Sequence, residues 1–226
     1  YRGYDSAGVA VLDEGKISFR KKAGKVAALD EVIAADPLPQ AVVGIGHTRW
    51  ATHGGPTDAN AHPHVVDGGK LAVVHNGIIE NFAELKTELA EKGYTFKSET
   101  DTEVAATLLS DFMHGAGEGD LTESMRLTCN RLEGAFTLLA LHTDFPDRIV
   151  AARRNSPLVI GLGEGENFLG SDVSGFIDYT KNAVEMANDQ IVTITATSYD
   201  IIDFAGNKAQ GKPFKVEWDA AAAEKG

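Results

Sequence analysis

The chain has 226 residues, 43% hydrophobic and 24% charged, so one sizeable domain with a real core is within reach. A net charge of -12 repels phosphate backbones and anionic lipid heads, which argues against nucleic acid and membrane surfaces as partners. No apolar run approaches the ~20 residues of a bilayer span, and the single cysteine, Cys129, cannot close an internal disulfide, which fits a reducing cytoplasm.

In chain order, Gly8 to Asp13 and Ile17 to Lys21 read as a hairpin about Glu14-Gly15. Val42 to Arg49 and Lys70 to Gly77 are apolar runs of strand length. Three helices follow. The first spans about Asn81 to Lys92, with Phe82, Leu85 and Leu89 on one face, an expected Glu88–Lys92 pair and Gly93 as its stop. The second spans about Thr102 to Met113, with Thr100 and Glu103 as a capping box and Val104, Leu108 and Phe112 as its stripe. The third spans about Thr122 to Glu133, opened by Asp120 and Glu123, with Met125, Cys129 and Leu132 inward and Gly134 as its end. Strands return at Ala135 to His142, Arg148 to Arg153, Pro157 to Leu162, Asn167 to Ser171 and Gln190 to Ile202. Strands grouped rather than alternating with helices predict stacked antiparallel sheets with helices outside. No Pro/Gly/Ser-rich linker divides the chain, and the tail AAAAEKG (220–226) reads as helical or linker-like.

Five of the seven histidines, His47, His53, His62, His64 and His75, fall in one short window. Imidazole is a common metal ligand, and His62-Pro-His64 could place two rings on one side of an extended segment. Against a metal stands the lack of a helical His-x-x-x-His pair or a carboxylate at ligand spacing. The same window carries Arg49, Trp50, Thr52 and Gly54-Gly55, which suits a loop closing over a small polar substrate, Arg49 gripping a carboxylate with its planar fork. The plainer reading makes Arg49 a surface ion-pair partner and Trp50 core.

In VVHNGIIEN (73–81), Asn76 offers an amide NH₂ and Gly77 a backbone N–H open to a ligand, a possible oxyanion hole. Asn-Gly is equally a hairpin turn signal. Asp101 in KSETDTEV (97–104) could bind an ammonium group, or simply complement the helix dipole. Arg2-Gly3 in YRGYDSAG is polar and Gly-punctuated, a weak signal alone. Cys129, on an apolar helix stripe, reads as a small buried hydrophobe rather than a nucleophile.

Taken together, YRGYDSAG, HTRWATHG (47–54), NAHPH (60–64), HNGIIEN (75–81), SETDTE (98–103) and SPLVIGLGEGENFLGSD (156–172) resemble the glutamine amidotransferases whose nucleophile is an N-terminal cysteine. Within that class they are most similar to the hexosamine-forming aminotransferases. The resemblance implies an α+β fold, the four-layer α/β/β/α sandwich of N-terminal-nucleophile hydrolases. It implies Arg49 for the α-carboxylate of L-glutamine and Asp101 for its α-ammonium. Trp50, Thr52 and His53 would belong to the closing loop, Asn76 and Gly77 to the oxyanion hole, and Arg2 and Gly3 would flank the nucleophile. No cofactor or metal is implied. Residues 1–219 would be the amidotransferase domain without its N-terminal strand and cysteine, so that this chain alone is expected to be inactive. Residues 220–226 would begin a linker to sugar-isomerase domains that turn fructose-6-phosphate into glucosamine-6-phosphate, in a cytoplasmic enzyme that is a homodimer at full length. A metal-dependent hydrolase on the His47–His75 cluster and a non-catalytic glutamine-binding module are the alternatives.

Overall fold

The computed structural model describes residues 4–217, so Arg2, Gly3 and the expected linker at 220–226 lie outside the described residues. The chain opens with β1 (Ser6–Asp13), β2 (Lys16–Ala23), α1 (Val26–Ala35) and β3 (Val43–Arg49). It continues with β4 (His64–Val66), β5 (Leu71–Ile79), α2 (Phe82–Glu91), α3 (Asp101–His114) and α4 (Leu121–Arg131). The rest is strand: β6 (Gly134–His142), β7 (Arg148–Arg154), β8 (Val159–Leu162), β9 (Asn167–Gly170), β10 (Asn182–Glu185), β11 (Gln190–Thr195), β12 (Tyr199–Asp203), β13 (Lys208–Ala209) and β14 (Lys212–Lys215). No helix among the described residues is long and apolar enough to cross a membrane.

The strands form a seven-stranded sheet in the order β13-β12-β11-β7-β6-β5-β4, a three-stranded sheet β2-β1-β3 and a four-stranded sheet β14-β10-β8-β9. Paired strands run antiparallel, as in β5 against β6 and β6 against β7. Alternation along each strand of the large sheet decides what it covers. Leu71, Val73, Ile79, Phe136, Leu138 and Ala152 face Leu85, Leu109, Met125 and Cys129 of α2, α3 and α4. The opposite face splits. Ala72, Val74 and Leu141 meet Ala10, Leu12 and Ile45 of the three-stranded sheet. Ala151, Val192 and Ile194 meet Ile160 and Val184 of the four-stranded sheet and Met186 just after β10. With α1 lying against β2 and β1, the order of layers is α/β/β/α. The expected sandwich is present, its second β-layer divided between two sheets.

The hairpin forms about Glu14 (φ 47°) and Gly15 (φ 73°), the two positive-φ positions such a turn requires. Thr100 caps α3 by accepting from the Glu103 N–H at 3.2 Å, but the capping box is not reciprocal. The Glu103 carboxylate instead takes the N–H groups of Lys97 and Ser98 at 2.8 and 2.7 Å, which ties the preceding loop to the helix. Glu88 pairs with Arg131, and Lys92 with Asp111, so the expected Glu88–Lys92 pair gives way to bonds between helices. α4 ends at Arg131, and Gly134 (φ 110°) instead opens β6. The run Gln190 to Ile202 is two strands, because Thr195 and Ser198 close a turn between β11 and β12. The helix α1 was not foreseen; Leu29 is its buried residue, too weak a stripe to register.

Gly8 in β1 is a close approach between the small sheet and the segment holding His62. A Cβ there would run into the His62 carbonyl oxygen and close on Lys21 Cβ at 2.8 Å. Gly8→Ala is therefore expected to destabilise the fold by about 1–3 kcal/mol, read as a fall in the urea midpoint with an unchanged m value.

Candidate functional site

A cleft of about 310 Å³ opens where β3, β5 and the start of α3 converge, lined by Arg49, Trp50, Thr52, His62, His75, Asn76, Gly77, Ile78, Asp101 and Thr102. The structure thus brings together Arg49, Trp50, Thr52, Asn76, Gly77 and Asp101 from three separate stretches of sequence.

Arg49 is the last residue of β3 and is only 4% exposed. Its guanidinium donates to the carbonyls of Gly55 (3.1 Å), Gly54 (3.2 Å) and His53, so the loop after β3 wraps around the fork. Asp5 stands 3.8 Å away, and its other oxygen accepts from the Ala51 N–H. Arg49 is thus no surface ion-pair partner. Trp50 is 62% exposed at the mouth of the cleft, not core. Asn60 braces the same loop: its amide donates to Gly55 O (3.0 Å) and to Glu99 (3.1 Å) and accepts from Glu99 N (3.0 Å). His53 is not among the cleft residues; its ring packs on Phe82 of α2 at 4.6 Å, while its carbonyl is held by Arg49.

Asp101 is the first residue of α3 and is buried. One carboxylate oxygen accepts from the Ile79 N–H at 2.9 Å; the other lies 3.9 Å from His75 Nδ1. Asn76-Gly77 is not a turn. It lies within β5, opposite Thr137 and Phe136 of β6. Gly77 has φ 116°, and a Cβ there would strike the Ala135 carbonyl, so the position admits only glycine. Asn76 and Gly77 are both exposed to the cleft.

The histidines form a stack rather than a chelate. His47 lies on His62 at 4.2 Å with planes 19° apart, and His62 lies 6.4 Å from His75. The His75 backbone N–H donates to His62 Nδ1, which leaves the His62 proton on Nε2. That Nε2 meets the Thr102 hydroxyl at 3.2 Å, and the same hydroxyl meets His75 Nδ1 at 2.9 Å. Thr102 therefore accepts from His62 and donates to His75. Burial lowers the pKa of His47 and His75 to about 4, and those of His62 and His64 well below the ordinary value; neighbouring imidazoles and Arg49 push His62 the same way. Among the described residues no three His, Cys, Asp or Glu side chains converge to hold a metal ion, so the metal-hydrolase alternative has no donor set here. Cys129 is fully buried and burial drives its thiol pKa up, which removes it as a nucleophile.

Beside the cleft runs a groove of about 250 Å³, walled by Gly46 and His47 of β3 on one side and Leu169 and Gly170 of β9 on the other, with Val74, Asn76 and Thr137 as part of its floor. Asn76 belongs to both hollows. Reading the sequence missed the roles of His47, Asn60 and Thr102 because their partners are far along the chain; the dense run of histidines was the available signal.

The chain shares its fold with a glutamine phosphoribosylpyrophosphate amidotransferase from B. subtilis, on which it superposes with a TM-score of 0.75 at 24% identity, over 92% of this chain and 44% of that one. The family described as "Glutamine amidotransferase domain" matches residues 47–178, more than half of the chain, and the chain belongs to that family. Two similar relatives are the glutamine–fructose-6-phosphate aminotransferases (isomerizing) of Corynebacterium diphtheriae and Corynebacterium efficiens, each 76% identical over all of this chain. The chain spans 36% of their length.

The imidazole network gives a pH dependence. His47, His62, His64 and His75 have folded pKa values below their ordinary 6.5. Their stability contribution is therefore full above about pH 6.5 and is lost as pH falls, because the unfolded chain takes up protons that the folded one refuses. Near pH 5.5, unfolding should bind about three to four protons through these side chains. Melting temperatures from pH 8 to 5 and imidazole ¹H–¹⁵N spectra check this, with all four rings neutral at pH 6; an imidazolium at any of them would contradict it.

Proposed function

We propose that the cleft binds L-glutamine and supplies the recognition and oxyanion groups of a glutaminase. The observation that carries this is the placement of a cation, an anion and a pair of hydrogen-bond donors on one small cleft: Arg49, Asp101 and Asn76-Gly77. A zwitterionic amino acid with a carboxamide side chain is complementary to that set. In this reading Arg49 holds the α-carboxylate, and because its fork also anchors the 53–55 carbonyls, the loop with Trp50, Thr52 and His53 closes as the carboxylate seats. The free oxygen of Asp101 takes the α-ammonium. Arg2 and Gly3 flank the nucleophile.

The nucleophile is the thiol of an N-terminal cysteine on a strand lying in the groove between β3 and β9, beside Asn76. Its α-amino group, with an ordinary pKa near ~8, accepts the thiol proton. The sulfur attacks the carboxamide carbon, and the negative oxygen is received by Asn76 Nδ2–H and the Gly77 N–H. Collapse of the intermediate breaks the C–N bond and releases ammonia, which carries off the proton; water then cleaves the thioester to glutamate. In the whole enzyme that ammonia serves sugar-isomerase domains that convert fructose-6-phosphate to glucosamine-6-phosphate, in a cytoplasmic homodimer. The names of the relatives support fructose-6-phosphate as the acceptor; the cytoplasmic homodimer rests on the sequence resemblance alone.

The test is glutamate release by a polypeptide that carries an N-terminal cysteine ahead of these residues. Asn76→Ala should lower kcat by about 10²–10³ with KM for glutamine nearly unchanged. Asp101→Asn should mainly raise KM, by at least roughly tenfold, through loss of a charge-assisted contact. An electrophilic glutamine analogue should form one adduct, on the N-terminal cysteine and not on Cys129. Tight glutamine binding without any turnover would favour a binding module instead.

A further inference from the structure

We infer that His47 is a positioning residue for the oxyanion hole: its Nε2–H holds the Oδ1 of Asn76 and so turns the Asn76 NH₂ toward the reacting carbonyl. This rests on the glutaminase reading and adds to it a residue that acts through Asn76.

An asparagine amide has two nearly isosteric ends, and only one can stabilise an oxyanion. Rotated by half a turn, Asn76 would present its carbonyl oxygen to developing negative charge and oppose the reaction. Something must select the end. His47 Nε2 lies 2.7 Å from Asn76 Oδ1, and an oxygen can only accept, so the imidazole donates and the NH₂ is left facing the other way. No hydrogen bond within the described residues occupies that NH₂, which leaves both donors to a ligand. His47 Nδ1, buried without a partner, is then the bare nitrogen of the neutral ring.

The selector is itself fixed. His62 covers one face of His47 at 4.2 Å. His62 is pinned by the His75 N–H at one nitrogen and by Thr102 of α3 at the other. Burial keeps the His47 ring neutral to about pH 4, so across the physiological range it carries one N–H, and at 2.7 Å the Asn76 Oδ1 is its side-chain acceptor. Preorganised donors act without reorganising as charge develops, and an amide free to flip would forfeit part of that gain.

The experiment uses the full-length polypeptide with L-glutamine. His47→Phe keeps the stacked ring but removes the donor; it should lower kcat by about tenfold, with KM changed less than twofold, since carboxylate and ammonium contacts are intact. His47→Gln, which can place an N–H near the same point, should recover most of that loss. In an Asn76→Ala background, His47→Phe should cost less than about twofold more, because its effect passes through Asn76. A full multiplicative loss in that background, an unchanged kcat in His47→Phe, or a His47 protonated at Nδ1 in the ¹H–¹⁵N spectrum each overturns the proposal. If the unmutated polypeptide does not hydrolyse glutamine, the glutaminase reading falls. His47 is then judged by the spectrum alone: Asn76→Ala must shift the His47 Nε2 resonance, and no shift rejects the contact.

Discussion

A hydroxyl has one proton to give, and at Thr102 that limit orders the centre of the molecule. Because His62 Nδ1 is taken by a backbone N–H, its other nitrogen must donate, and Thr102 must pass its own proton on to His75. Three side chains from three elements are thereby fixed in tautomer as well as position. His62, Thr102 and His75 are buried, and the alternative arrangements would set a donor against a donor, at about 1–3 kcal/mol each. The first turn of α3, the segment after the 50–55 loop and β5 are joined by this chain of bonds, and the cleft is the space left beside it.

β5 carries the consequence outward. Its side chains alternate between layers, so His75 faces α3 while its neighbour Asn76 faces the second β-layer and meets His47. One strand therefore serves a rigid interior network and an open cleft with adjacent residues. The Gly77 backbone, at φ 116° and pressed against Ala135, lets the strand continue to Ile79, whose N–H then fixes Asp101. Asp101, Asn76 and Gly77 are thus positioned by one run of backbone.

Much of the fold was legible from local chemistry. The hairpin was readable because Glu14-Gly15 supplies left-handed backbone, and α3 because Thr100 and Glu103 mark its start. What was lost lay in long-range contacts. Glu103 prefers the Lys97 and Ser98 N–H groups to its own cap, and Glu88 and Lys92 reach across to other helices. The strands β4 and β13, of three and two residues, are too short for a period to appear. At the site, the residue types and their order identified the family, with Arg49, Asp101, Asn76 and Gly77 on one cleft. The orientation of Arg49 was not legible, because its partners are backbone carbonyls with no sequence signature. His53 turned from the cleft to Phe82, a packing choice set by where α2 begins.

The division of the second β-layer leaves β3 and β9 as facing borders of two small sheets, with a narrow groove between them. A free sheet border ordinarily invites pairing with a foreign chain, and long exposed ones lead to aggregation. Here each border stands in the other's shadow. The two borders are thus set side by side around a hollow of about 250 Å³ that shares Asn76 with the cleft, so that a sheet edge and the cleft meet at one side chain.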